Sequence, residues 1–146
     1  MAVTCLQSTA QRQPFDRVDK THLLWSFKSI GQHNVFSFGY PPGGHKSTGV
    51  VVSYHKRLFS QLDVQRVEVP RGEFAEIQGR AGLVRCVRGR VDFTAISNYF
   101  PVKCVGERRQ DYERVVRLMV RWLREQVDLT PQRSMLCICM GRNDNV

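Results

Sequence analysis

Val91-Asp-Phe-Thr-Ala-Ile-Ser-Asn-Tyr-Phe-Pro101 is the stretch on which the fold turns. In an extended chain Val91, Phe93, Ala95 and Ser97 fall on one side, and Asp92, Thr94, Ile96 and Asn98 on the other. Only the first set is apolar or small throughout. Ile96 nevertheless puts apolar bulk on the second, so both faces of this strand are expected to be at least partly covered. Pro101 has no N–H to give to a ladder, so pairing should stop near it. A polar pair, Asn98 and Tyr99, stands at the exit, where α/β and α+β proteins commonly carry their chemistry.

Immediately upstream, residues 80–87 have the same strand character. The two runs form a hairpin around Arg88-Gly89-Arg90, with glycine supplying the positive φ of a tight turn. Downstream, residues 102–106 lead into a long helix from about Glu107 to Val127. Tyr112, Val115, Val116, Met119, Trp122, Leu123 and Val127 make one broad apolar stripe on it. Arg114, Arg117, Arg121 and Arg124 line the opposite side. That row offers contacts to phosphates, or is simply the solvated face of a packed helix, which is the commoner arrangement. Thr130-Pro131 breaks the helix. Residues 134–140 then read as a last, wholly buried strand that delivers Gly141-Arg-Asn-Asp-Asn-Val146 at its end.

In the first half, Val3-Thr-Cys-Leu-Gln7 reads as a short strand and residues 8–14 as a loop. Phe15, Val18, His22, Leu24 or Trp25, and Ile30 recur every three to four residues, which predicts a helix to about Ile30, ended by Gly31. Residues 35–40 look like strand and Pro41-Pro-Gly-Gly44 like a turn. Residues 48–54, with Val50, Val51 and Val52, are the clearest buried strand of this half, and residues 64–69 a partly exposed one. Gly39 to Ser47 comes near a phosphate-cradling P-loop. That motif needs Gly directly before Lys and a helix after it, whereas here His45 precedes Lys46 and a β-branched strand follows. The succession of elements predicts an α+β fold with a mixed, mainly antiparallel sheet and flanking helices. A strand beginning almost at residue 1 and another close to residue 146 suggest a single truncated domain over 1–146, with a core whose remaining half is a candidate partner.

Composition bounds the function. Hydrophobic residues make up 42% of the chain, enough for a globular core. Lys and Arg number 22 against 13 Asp and Glu, a net charge of +9, which suits a polyanionic partner such as nucleic acid. No apolar run approaches the ~20 residues of a membrane span, and the N-terminus has no secretory character, so an intracellular protein, cytoplasmic or nuclear, without a membrane partner is expected. The five cysteines are an odd count with no CxxC pair, consistent with reduced thiols. Cys137 and Cys139 would share a strand face. With them, His22, His33, His45 and His55 make no tetrahedral ligand pattern.

Taken in order, four places resemble the endonuclease/exonuclease/phosphatase superfamily, the DNase I-like fold shared by apurinic endonucleases and retroelement (retrotransposon) endonuclease domains. Residues 3–7 resemble the strand leading to its "LQE" metal site, and Ser47-Thr-Gly-Val-Val-Val-Ser53 its "GGVA-like" strand. Residues 93–101, ending Asn-Tyr-Phe-Pro, resemble the "N-x-Y-x-P" exit, and residues 135–146 the strand ending in "GDxN". The helix lies where the family has one. The match corresponds to the N-terminal part of a family domain. It implies a partial α/β sandwich, Mg²⁺-dependent phosphodiester hydrolysis, and nucleic acid as substrate, DNA rather than RNA. The shared site leaves a phosphatase open.

The departures fall on the chemistry. Where the family has its metal-binding Glu this chain has Ser8, which implies no metal site here and makes Mg²⁺ binding doubtful. Aligning the last motif on Asn143-Asp144-Asn145 puts Gly141 at the catalytic Asp; sliding by one puts Arg142 there and Asp144 at the Asn. The resemblance leaves Tyr99 and Asn143 as the retained catalytic positions, with Asn98 matching in a less defined role. A degenerate, catalytically impaired nuclease-like domain is the expectation. The alternatives are a non-catalytic basic nucleic-acid-binding module and an unrelated α+β protein.

Overall fold

The computed structural model describes residues 3–7, 25–39, 49–103 and 105–141. Its strands are β1 (Val3–Gln7), β2 (Trp25–Ile30), β3 (His33–Phe38), β4 (Val50–His55), β5 (Val64–Glu68), β6 (Ala81–Arg88), β7 (Val91–Tyr99) and β8 (Met135–Gly141), with one α-helix, α1 (Arg109–Leu129). They form two four-stranded sheets, in the orders β1-β4-β3-β2 and β5-β6-β7-β8. Every pairing is antiparallel except β7 with β8. The fold is therefore α+β with a mixed sheet and a flanking helix.

Strand β7 is covered on both sides, as its sequence requires. On one side Ala95 and Tyr99, with Val84 and Cys86 of β6, meet Phe36, Phe38, Val50, Val52 and Tyr54 of the first sheet. On the other, Ile96 and Leu83 meet Met119 and Trp122 of α1, together with Phe74 and Ile77 of the loop before β6. This is sheet on sheet on helix, with β6 and β7 in the middle layer. The helical stripe is narrower than its spacing suggests: Val115, Leu118, Met119, Trp122 and Leu123 pack, while Val127 is exposed. Helix α1 stops where Thr130 turns its N–H and hydroxyl back to the carbonyl of Gln126 (3.0 and 2.7 Å), and Pro131 cannot continue the ladder.

Two expectations fail. The helix predicted to run to Ile30 is, from Trp25 on, the strand β2, paired with β3 across a tight turn at Gly31 and Gln32. Trp25-Ser-Phe-Lys-Ser-Ile30 alternates apolar and polar more faithfully than it keeps a 3.6 period, and Gly31 adopts φ 53°, a conformation that suits a hairpin turn as well as a helix end. Residues 15–24 of that predicted helix, the turn at 41–44 and the P-loop-like segment around His45 and Lys46 lie outside the described residues. The second failure is β8, expected to be wholly buried. It is an edge strand with Met135 69% and Met140 67% exposed. Its unbroken apolar run resembles that of a central strand, yet the first sheet and α1 cover only part of it, and among the described residues nothing pairs with its outer edge.

The two sheets are aligned end to end. The ring of Phe38 rests directly on Gly82. Phe38 shares its cross-strand row with Val50 and, through Val50, with Gln7, while Gly82 shares its row with Ser97 and, through Ser97, with Cys139. At the opposite end Arg88 donates to the carbonyls of Arg57 and Leu58 (3.2 and 2.9 Å), just after β4. Hence the C-terminal ends of β1, β7 and β8 all lie at the Phe38–Gly82 end of the sandwich.

Candidate functional site

The strand exits are held together by backbone bonds. Register sets Tyr99 beside Gly141, and the ladder runs one step further as Phe100 N–H donates to the Gly141 carbonyl at 3.0 Å. On the other flank Tyr99 N–H donates to the carbonyl of Arg80 at 2.8 Å, which continues the β6–β7 register by one pair and sets Arg80 opposite Tyr99. Pro101 follows and ends the pairing, as expected.

Alternation along β7 then separates the two polar residues of the exit. Tyr99 faces the first sheet and is 6% exposed, within the inter-sheet core. Asn98 is fully buried on the helix side, where its Nδ2 donates to the Cys139 carbonyl at 3.1 Å. It clamps β8 onto β7, and its Oδ1 has no hydrogen-bond partner among the described residues. The structure therefore does not bring Asn98 and Tyr99 onto one surface. Gly141 closes β8 beside Tyr99 and contributes no side chain. Ser8, Arg142, Asn143 and Asp144 lie outside the described residues.

Arg80 is the residue that sequence reading missed. Its guanidinium is half-buried and makes no ion pair among the described residues, and burial draws its pKa down while the Tyr99 oxygen acts in the opposite direction. A partly desolvated cation without a carboxylate is costly unless an anion completes it. Nothing in the local sequence marks it; the only signal is an Arg directly ahead of a strand that pairs with the exit.

The helix arginines have a different setting. Arg114 binds Glu76 and Asp111 (both 3.1 Å), and Arg121 binds Glu73 (2.6 Å), lies near Glu125 (3.8 Å) and stacks over Phe74 (4.7 Å to the ring centre). Both therefore dock α1 onto the loop before β6. Arg117 and Arg124 are exposed and make no ion pair among the described residues. Asp92, a strongly buried carboxylate, is held by Arg85 (2.9 and 2.5 Å) and Arg133 (3.2 Å) on the helix side of the second sheet, away from the exits. Burial pushes the Cys86 thiol up to about 12, which leaves it inert as a nucleophile. Cys137 and Cys139 do share a face, with sulfurs 3.9 Å apart.

Mg²⁺ requires hard oxygen ligands, usually carboxylates. Among the described residues, the exits of β7 and β8 and the flanking Arg80 supply a phenol, a guanidinium and a glycine, and no cluster of three His, Cys, Asp or Glu side chains is found. The described part of this end thus supplies no carboxylate of the kind such an ion takes. No helix of the described residues is long and apolar enough to cross a membrane. No protein-family model matches the chain, and neither does any curated protein.

Proposed function

We propose that this chain is a nucleic-acid-binding domain built on a nuclease-like sandwich, in which the strand-exit end receives a backbone phosphate without hydrolysing it. The observation that carries this reading is the juxtaposition of Arg80, half-buried and without an ion pair among the described residues, with Tyr99 at the end where β1, β7 and β8 all finish. A guanidinium offers a phosphate two parallel N–H bonds, and a phenol can add a third donor. The net charge of +9 supports a polyanionic ligand. The resemblance to the endonuclease/exonuclease/phosphatase superfamily supports the location, and the chain's departures from that pattern support the lack of turnover. Ser8 and either Gly141 or Arg142 stand where that family places carboxylates. Loss of such groups removes several kcal/mol of transition-state stabilisation, about 3–4 kcal/mol each by analogy with single-donor deletions.

The test is fluorescence anisotropy with a labelled duplex at graded salt, run beside a plasmid-nicking assay with Mg²⁺. Binding should weaken steeply as salt rises, and Arg80→Gln should weaken it at every salt concentration with the fold intact. No nicking should be seen. Salt-independent binding, or full affinity in Arg80→Gln, would overturn the binding site; chelator-sensitive nicking that disappears in Tyr99→Phe would restore a hydrolytic enzyme.

A further inference from the structure

The opposite end of the sandwich carries a second surface. Three turns converge there: residues 31–32 between β2 and β3, residues 56–63 between β4 and β5, and residues 89–90 between β6 and β7. They are tied together by cations bonded to carbonyls. Lys56 Nζ donates to the Gly31 carbonyl at 2.6 Å, and Arg88 donates to the carbonyls of Arg57 and Leu58. Among the described residues the guanidiniums of Arg57 and Arg90 make no ion pair. The carboxylate among these turns is Asp63, which is occupied by the Ser60 N–H at 2.7 Å. Lys56, Arg57, Arg88 and Arg90 thus face, among the described residues, a single carboxylate, Asp63, whose charge acts on Arg88, in contrast to α1, where Arg109, Arg114 and Arg121 are each matched by acids.

Large aliphatic side chains stand among these cations. Ile30 is 59% exposed, Leu58 47%, Leu62 98% and Val91 55%. Ile30 pairs with His33 and, through it, with His55, and Val91 pairs with Arg88, so they belong to the same end as Leu58 and Leu62. Leu62 sits in a single 3₁₀ turn, Gln61–Asp63, that buries no side chain. Its exposure is therefore not a by-product of packing elsewhere.

We propose that this turn end docks onto an anionic lipid bilayer, with Lys56, Arg57, Arg88 and Arg90 on the headgroup phosphates and Leu58, Leu62, Ile30 and Val91 entering the interface. Basic residues interleaved with protruding aliphatics are the chemistry of peripheral membrane attachment. A nucleic-acid duplex satisfies the cations but gives four aliphatic side chains nothing to enter, whereas a bilayer accepts both. The surface forms only when the three turns meet, so a search of the sequence for a spanning segment passes over it. It lies at the far end from Arg80 and Tyr99 and leaves that site free.

Co-sedimentation with vesicles of phosphatidylcholine containing phosphatidylserine, against phosphatidylcholine alone, tests it. Binding is expected to the anionic vesicles and to fall with salt. Leu62→Asn should reduce the partition by about ten-fold, and Arg57→Gln and Arg90→Gln by about five-fold each. All three positions are exposed, and an unchanged thermal transition checks that folding is intact. Equal binding to both vesicle types, or no loss in Leu62→Asn, overturns the proposal. So does loss of duplex binding in Arg57→Gln and Arg90→Gln with vesicle binding unchanged, which would make this end a nucleic-acid surface.

Discussion

Gly82 lies against the ring of Phe38 with no room for a side chain: a Cβ there would stand 2.2 Å from Cδ2 and 2.3 Å from Cγ of the ring. This contact joins the two sheets at the end where the candidate site lies. Gly82→Ala must displace the ring from a filled core. Overpacking of this kind costs about 1–3 kcal/mol, and chemical denaturation should show it. Phe38→Leu in the same chain should recover part of the loss, since the clash is with the ring; failure to recover any would mean that Gly82 is needed for its backbone instead.

Asp92 is the electrostatic centre of the second sheet. Its side chain is 5% exposed and accepts from Arg85 and Arg133. The Arg85 guanidinium holds its carboxyl well below the ordinary range, with Ser134 and Arg133 adding to the effect against the cost of burial. A pKa depressed on folding stabilises the folded state above the unfolded value, near 3.9 for Asp. That contribution is lost as pH falls through the lower folded value. Asp92→Asn should therefore cost about 1.5–3 kcal/mol at neutral pH. The gap between variant and parent should narrow only below about pH 4, which urea titrations at several pH values will show.

Because Arg114 and Arg121 are already satisfied by Glu76 and Glu73, removing either should leave the salt dependence of duplex binding almost unchanged. A phosphate-contacting arginine would lower the slope by about one. Glu73→Gln with Glu76→Gln should leave Arg114 only Asp111 and Arg121 only Glu125, and so steepen the slope. A clear loss of slope in Arg114→Ala alone would assign phosphate contact to the helix face after all.

Among the described residues, the outer edge of β8 pairs with nothing and is flanked by Met135, Ile138 and Met140. Exposed apolar edges of this kind pair with other chains. The protein should self-associate with concentration in light scattering, and Met140→Lys, which places a charge on that edge, should reduce the association without lowering thermal stability. A sharp, reversible transition of a monomer at high concentration would argue against an adhesive edge.

Much of the second sheet was legible from residues alone. The β6–β7 hairpin, its turn at Gly89 and the long helix announce themselves through strong local periodicity, and β7 declares its two covered faces through Ile96 opposite Phe93 and Ala95. Helix and strand were confused over Trp25–Ile30 because a few apolar residues satisfy either period when a glycine follows. The exposure of Met135 and Met140 was hidden because burial is a property of neighbours, and an apolar run reads alike at the centre of a sheet and at its edge. The same limit applies to the candidate site. Tyr99 could be singled out from its place before Pro101. Arg80 could not, because its significance lies in its burial without a carboxylate among the described residues, and that is visible only in three dimensions.

The position of β7 between β6 and β8 also has a temporal side. Its partner on one side is reached through the short turn at Gly89 and Arg90, whereas β8 arrives only after residues 100–134 have been made. During synthesis the hairpin can close early, since local pairings carry the smallest loop-closure cost. The other edge of β7 then stays open until the crossover through α1 is complete. For that interval a nascent chain presents an apolar strand edge to its surroundings, and a slow-codon pause or a chaperone acting between residues 100 and 134 would govern how much of it reaches the folded state.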